Sequence, residues 1–266
     1  MNKIPLAIIG IIGVVGLTSA QAQLIDVDFN GNSVGTAYNG GGVGSGPTQS
    51  GAAILGSAGD IWNGFDDSAF TFATYPTGMS ASGLALNYAN GTSSGVTMSI
   101  SASAGGSYDA NEPNWGNTSA FTTAGSPYSN LMQDEIYTTP AATLTLSGLA
   151  VNQSFNLVIY SAGDQNLGTG NTAKVGTFTV NGVTQTTTWN GTTSTLINGQ
   201  TYVQFLALSD GSGNLVINYG GTSAATGINP ETDFNGFQIV AVPEAGTLAL
   251  LGMGLAIPFV FRRRRN

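Results

Sequence analysis

Short runs in which apolar and polar residues alternate, each closed off by Gly, Asn, Asp or Ser, fill the second half of this 266-residue chain and dispose it to β-structure. Thr143–Leu149 reads T-L-T-L-S-G-L. Ser154–Tyr160 reads S-F-N-L-V-I-Y and sets Phe155, Leu157 and Ile159 on one face, because successive strand side chains point to opposite sides. Thr177–Val180 and Val183–Thr188 flank Asn181-Gly182, a strong hairpin pattern because both turn residues need positive φ. Tyr202–Leu208 and Asn214–Tyr219 flank the loop S-D-G-S-G and predict a second hairpin, and Phe234–Val240 reads as a closing strand. No amphipathic helix of useful length competes with these strands.

The first half has longer loops. Leu24–Phe29, L-I-D-V-D-F, predicts a first strand with Asp26 and Asp28 on one face. Gly31–Gly59 is rich in Gly and Ser and has no regular period before Ala52–Leu55. Ser68–Phe72, Leu84–Tyr88 and Val96–Ser101 are further strands, and Ala102–Gln133 reads as one long loop carrying Tyr108, Trp115 and Tyr128. No fixed-period repeat and no linker divides residues 23–241. The expectation is an all-β domain, a β-sandwich of the jelly-roll kind.

Charge narrows the partners. Lys174 is the only basic residue between Gln23 and Val242, and thirteen acids there leave that stretch formally at −12. Nucleic acid is excluded as a partner, since phosphate contacts need Lys and Arg. The chain has neither His nor Cys, which removes Ser-His-Asp and Cys-His nucleophiles, typical zinc sites and disulfides. Residues 1–22 have the form of a secretory signal peptide: Lys3, the apolar run Ile4–Leu17, then the box Ala20-Gln21-Ala22, with Ala20 and Ala22 at the small-residue positions and a mature start at Gln23.

Three kinds of site chemistry remain. The acidic pairs Asp66/Asp67, Asp109/Glu112 and Asp134/Glu135 are the candidates for glycoside hydrolysis, which needs two carboxyls facing across a cleft. Asp26, Asp28 and Asp233 lie on or beside the first and last strands and are candidate ligands for Ca²⁺, which takes six to eight oxygens. Trp62 and Trp115, with Tyr108 and Asn114 nearby in sequence, are candidate sugar-stacking groups, whereas Trp189 follows a hairpin strand and is assigned to the core.

The C-terminus combines three parts. Val242-Pro243-Glu244 precedes Thr247–Phe261, fifteen uncharged residues that as a helix span about 22 Å. Arg262, Arg263, Arg264 and Arg265 follow, a cluster that stays cytoplasmic by the positive-inside rule. The helix is short for a ~30 Å hydrocarbon core, and snorkelling arginines relieve part of the mismatch. Motif, helix and basic cluster over residues 242–266 resemble the PEP-CTERM signal of Gram-negative bacteria, the substrate tail of exosortase. The family pattern has a second proline where this chain has Ala245. The resemblance implies an exosortase-like partner that cuts at Val242-Pro243-Glu244, after transient anchoring in the inner membrane. Leu144–Ile239, with F-N-L-V-I-Y-S-A-G-D, T-F-T-V-N-G-V, G-N-L-V-I-N-Y and D-F-N-G-F-Q-I-V, resembles the β-sandwich ectodomains common in PEP-CTERM proteins. The combined expectation is an exported, non-enzymatic protein of the cell surface or extracellular polysaccharide matrix. A carbohydrate-binding, lectin-like module and a glycoside hydrolase are the second and third readings.

Overall fold

A computed structural model describes residues 23–30, 48–72, 78–103, 105–109, 121, 126–138, 141–162, 176–189, 193–220 and 232–243. The strands, in chain order, are β1 (Ile25–Phe29), β2 (Asn63–Phe65), β3 (Thr71–Phe72), β4 (Met79–Asn87), β5 (Ser93–Ala102), β6 (Gly105–Asp109), β7 (Asp134–Thr138), β8 (Ala142–Ser147), β9 (Ser154–Tyr160), β10 (Thr177–Val180), β11 (Val183–Thr186), β12 (Tyr202–Leu208), β13 (Leu215–Tyr219), β14 (Thr232–Phe234) and β15 (Gly236–Ala241). Among the described elements, a short helix, α1 (Ser129–Gln133), precedes β7. A five-stranded sheet in the order β12-β9-β15-β1-β2 and a seven-stranded sheet in the order β11-β10-β13-β8-β5-β4-β3 form the sandwich, and β14-β7-β6 make a small third sheet. From β8 to β13 the chain crosses repeatedly between the two large sheets, the long-range connectivity that a jelly roll uses.

The inward faces of the two sheets make one core. Ile25, Val27 and Phe29 of β1, Leu157 and Ile159 of β9, and Phe237 and Ile239 of β15 meet Met98, Ile100, Leu144, Leu146, Phe178 and Ile217 of the other sheet. Each fully buried side chain of this size contributes about 1.5–3 kcal/mol. Phe234 is the centre of an aromatic group, edge-on to Phe29 at 5.1 Å, Phe178 at 5.3 Å and Tyr219 at 5.2 Å.

The strand at Ser154–Tyr160 and the Asn181-Gly182 hairpin form as the sequence predicts, with φ of 49° at Asn181 and 78° at Gly182. Three expectations change. Tyr202–Leu208 and the Asn214–Tyr219 run are not a hairpin: β12 pairs with β9 in one sheet and β13 with β8 and β10 in the other. Alternation cannot tell these arrangements apart, because in both of them one face of each strand is buried. The loop between them arches across the sandwich, with Asp210 Oδ1 accepting from the Ser212 and Asn214 amides, both at 2.8 Å. The closing strand is split at Asn235, so that β14 joins the small sheet and β15 the large one. The span 102–133 read as a loop contains β6 and α1.

Candidate functional site

The sorting tail starts inside the sheet. β15 is a central strand between β9 and β1, and Ala241 pairs with Phe155. The next residue stays in register: the Val242 amide donates to Ser154 O at 2.8 Å, and Gln153 Nε2 donates to Val242 O at 2.7 Å. Gln153 is itself fixed, since its amide donates to Ser209 Oγ at 3.0 Å and its carbonyl accepts from the Ser209 amide at 3.1 Å. Pro243, which has no N–H to continue the ladder, is exposed. Of the motif Val242-Pro243-Glu244, two residues are therefore placed on the folded body. Glu244, Ala20, Ala22 and Arg262–Arg265 lie outside the described residues. Among the described residues no helix is long and apolar enough to cross a membrane, and the run Leu248–Phe261 is not among them.

A second feature is a polar layer on the outer face of the five-stranded sheet. The alternation of β1 sends Ile25, Val27 and Phe29 into the core and puts Asp26 and Asp28 on the opposite face, yet both carboxyls are fully buried. The covering comes from residues 48–62 and α1. Gln238, paired with Asp26 across β15, donates from Nε2 to Asp26 Oδ1 at 2.8 Å and to Leu55 O at 3.1 Å. Its Oε1 accepts from the Tyr160 hydroxyl at 2.5 Å and the Leu55 amide at 2.8 Å. The Tyr160 hydroxyl in turn accepts from the Ile54 amide at 3.0 Å. Asp28 Oδ2 accepts from the Gln49 amide at 2.7 Å. Gln49 reaches α1, its Oε1 accepting from the Leu131 amide at 3.3 Å. Burial pushes the Asp26 carboxyl up to about 7; the Gln238 hydrogen bond works against this and the nearby Asp60 carboxylate with it. Burial likewise holds Asp28 well above the usual carboxylate range, against the Gln49 amide. Asp26 Oδ2 and Asp28 Oδ1 have no hydrogen-bond partner, which suits a protonated carboxyl better than an ionised one.

The candidate residues fall out as follows. Trp62 is 6% exposed, gives its indole N–H to Gly51 O at 2.8 Å and packs on Tyr160 at 6.3 Å, so it offers no free face for stacking a sugar. Trp189 is buried against Phe121, as the sequence suggests. Tyr108 is in β6 opposite Glu135, but its side chain, like Asn114 and Trp115 as a whole, lies outside the description. Asp66 Oδ1 accepts from the Ser68 amide and hydroxyl, which closes the 3-10 turn Asp67–Ala69. Asp134 and Glu135 are neighbours on β7 and are buried, so the pleat directs them to opposite faces rather than across one cleft. Asp109 pairs with Asp134 through the backbone, and Glu112 is not described. Asp26, Asp28 and Asp233 are all buried, and among the described residues no three acidic side chains stand close enough together to share a metal ion. Sequence reading missed Gln238, Tyr160 and Gln153. Gln238 and Tyr160 share the parity of Asp26 on paired strands, but that signal appears only once the pairing of β1, β15 and β9 is known.

The molecule is thus a β-sandwich whose last central strand runs without a linker into a C-terminal segment. That segment, residues 241–265, matches the PEP-CTERM protein-sorting motif. The motif implies export, membrane anchoring and processing by an exosortase-like enzyme. No curated protein matches the chain. Among solved structures it is similar to the ANX2 ectodomain from Arabidopsis thaliana, at 12% identity and TM-score 0.44 over 84% of this chain and 51% of that one. It is similar also to the ANX1 ectodomain from Arabidopsis thaliana, at 13% identity and TM-score 0.38 over 84% of this chain and 42% of that one. A third likeness is to the complex of the plant peptide RALF23 with FER and LLG2, at 13% identity and TM-score 0.41 over 84% and 50% of the two chains. This chain spans about half the length of those proteins, and likenesses so distant add nothing to its functional reading.

Proposed function

We propose that this chain is an exported, non-enzymatic protein of the cell surface or extracellular matrix, held in the inner membrane by its C-terminal segment until an exosortase-like enzyme separates body from tail. The observation that carries the reading is the sorting motif at residues 241–265, joined directly to the end of β15. The non-enzymatic part is supported by the absence of His and Cys from the sequence and by the structural use of several of its carboxyls. Asp66 caps a turn, Asp26 anchors Gln238, and Asp28 binds the Gln49 amide. The −12 body keeps the released form soluble by self-repulsion.

Co-expression of the full chain with a cognate processing enzyme, followed by mass spectrometry of the released protein, tests this. The expected product starts at Gln23 and has lost the segment from the Val242-Pro243-Glu244 motif through Asn266. A surface form that keeps Arg262–Arg265 overturns the processing model and leaves a plain membrane anchor.

A further inference from the structure

The chain enters β1 and leaves β15 at the same end of the sandwich, because Ile25 pairs with Ile239 antiparallel and Gln23 therefore lies level with Ala241. Among the described residues, the same end collects most of the exposed large apolar side chains. Val242 binds Ser154, and Ser154 pairs with Leu208, so Val242, Ser154 and Leu208 form one row across β15, β9 and β12. The next row on the same face is Val240, Asn156 and Leu206. Leu206 is 74% exposed and Leu208 48%. Val151 is in the turn before β9, where the Asn152 amide binds Asp210 O. Val216 is the second residue of β13, beyond the same loop, and Val183 follows the hairpin turn whose Asn181 contacts Leu208. Ile197, by contrast, is at the far end, just ahead of Tyr202, which pairs with Tyr160.

We infer that this end of the sandwich, rimmed by Val151, Leu206, Leu208, Val183 and Val216, is a membrane-contact surface that rests on the lipid–water interface while the tail is anchored. The inference depends on the membrane-held stage of the proposed function. Tether length carries it: only Pro243–Gly246 separate the last sheet-bonded residue from Thr247, where the uncharged segment starts. Five steps along the chain reach at most about 17 Å. The headgroup layer is itself some 5–8 Å thick on each side of the hydrocarbon. The body cannot stand far off, and the rim is what faces the interface. Lateral addition of a second copy to β12 is disfavoured, because Asn181 Oδ1 and Nδ2 already bond the Leu208 amide and carbonyl and Gln185 bonds Gln204 O. With an acidic body the attraction is apolar, so neutral lipid is the fitting surface.

The chain contains no cysteine, so single-cysteine labelling needs no background changes. The full chain is placed in phosphatidylcholine vesicles with an environment-sensitive dye at Leu208→Cys, Val151→Cys, Ile197→Cys or, in the tail, Leu251→Cys. Headgroup-spin-labelled lipid should quench the dye at positions 208 and 151 at least twofold more than at 197, and a lipid with the spin label deep in its acyl chain should quench the dye at 251. Quenching at 251 with positions 208 and 151 no more affected than 197 overturns the contact surface but leaves the anchored stage intact. No quenching at 251 overturns the anchored stage, and the inference with it. Dye at 208 that is shielded from water yet unquenched, in protein that crosslinks as a dimer, assigns the rim to a second copy and also overturns the inference.

Discussion

The buried carboxyl of Asp26 links stability to pH at a single residue. Unfolded, it titrates near 3.9; folded, burial moves it to about 7. Between those values the folded chain holds a proton that the unfolded chain has lost. The contribution is therefore fully present below about pH 4 and is lost as pH rises through about 7. Asp28 is shifted in the same direction by the same cause. Asp26→Asn keeps the acceptor for Gln238 Nε2 and cannot ionise. Its urea-midpoint stability relative to the parent should grow between pH 4 and pH 8, by on the order of 4 kcal/mol, and a difference that stays constant over that range would refute the buried-acid account. Tyr219 gives a complementary test. Its hydroxyl is buried with no partner, so Tyr219→Phe should raise stability by about 1–2 kcal/mol in the same assay while the ring keeps its contacts with Phe178 and Phe234. The two β1 aspartates show what the sequence could and could not reveal about the polar layer. The spacing of Asp26 and Asp28 places them on one face, but their burial depends on residues 48–62, a Gly- and Ser-rich stretch whose covering role leaves no periodic trace.

Among elements, the legible ones carry their own local chemistry. The β10–β11 hairpin is written in Asn181-Gly182, where positive φ is required at two consecutive positions. Asn181 also closes the free edge of β12 through both backbone groups of Leu208, a contact between sheets that no local pattern announces. Asn181→Ala should then cost about 2–3 kcal/mol, from two lost hydrogen bonds and the left-handed backbone, whereas Gly182→Ala should cost about 1 kcal/mol from the backbone alone. Equal losses in urea unfolding would show that the edge contact contributes nothing. β12 and β13 were illegible as arch partners because alternation reports which face is buried and not which sheet a strand joins. The junction with the tail behaves as an element too. A protease that reads an extended motif has to draw Val242 off Ser154 and Gln153. Gln153→Ala removes one of those two bonds, worth about 1 kcal/mol, so motif cleavage should quicken roughly fivefold, and an unchanged rate would mean that cleavage occurs with Val242 still in the sheet.

For the whole molecule, the sequence divides cleanly: an apolar run near each end, and between them an acidic, His-free and Cys-free body with a single lysine. That division is readable directly, because charge and hydropathy are additive along a chain. The placement of the ends is not, since it depends on strand order. β1 and β15 are neighbours and antiparallel, which brings Gln23 level with Ala241. This has a consequence for the order of processing. If the two ends left from opposite sides of the sandwich, an N-terminal apolar run kept in the membrane would pull the body flat against it and strain the short connection at Pro243–Gly246. With both on one side, the body can stand on two tethers as readily as on one. Ala22→Phe, which places a bulky residue in the small-residue cleavage box, should therefore block removal of residues 1–22 while tail cleavage continues at close to the parental rate. Immunoblots with separate tags ahead of Gln23 and after Asn266 read the two events independently. Loss of tail cleavage whenever the signal is retained would show that the ends are not interchangeable in this way, and that release of the N-terminus is a precondition for presenting Val242-Pro243-Glu244 to the enzyme.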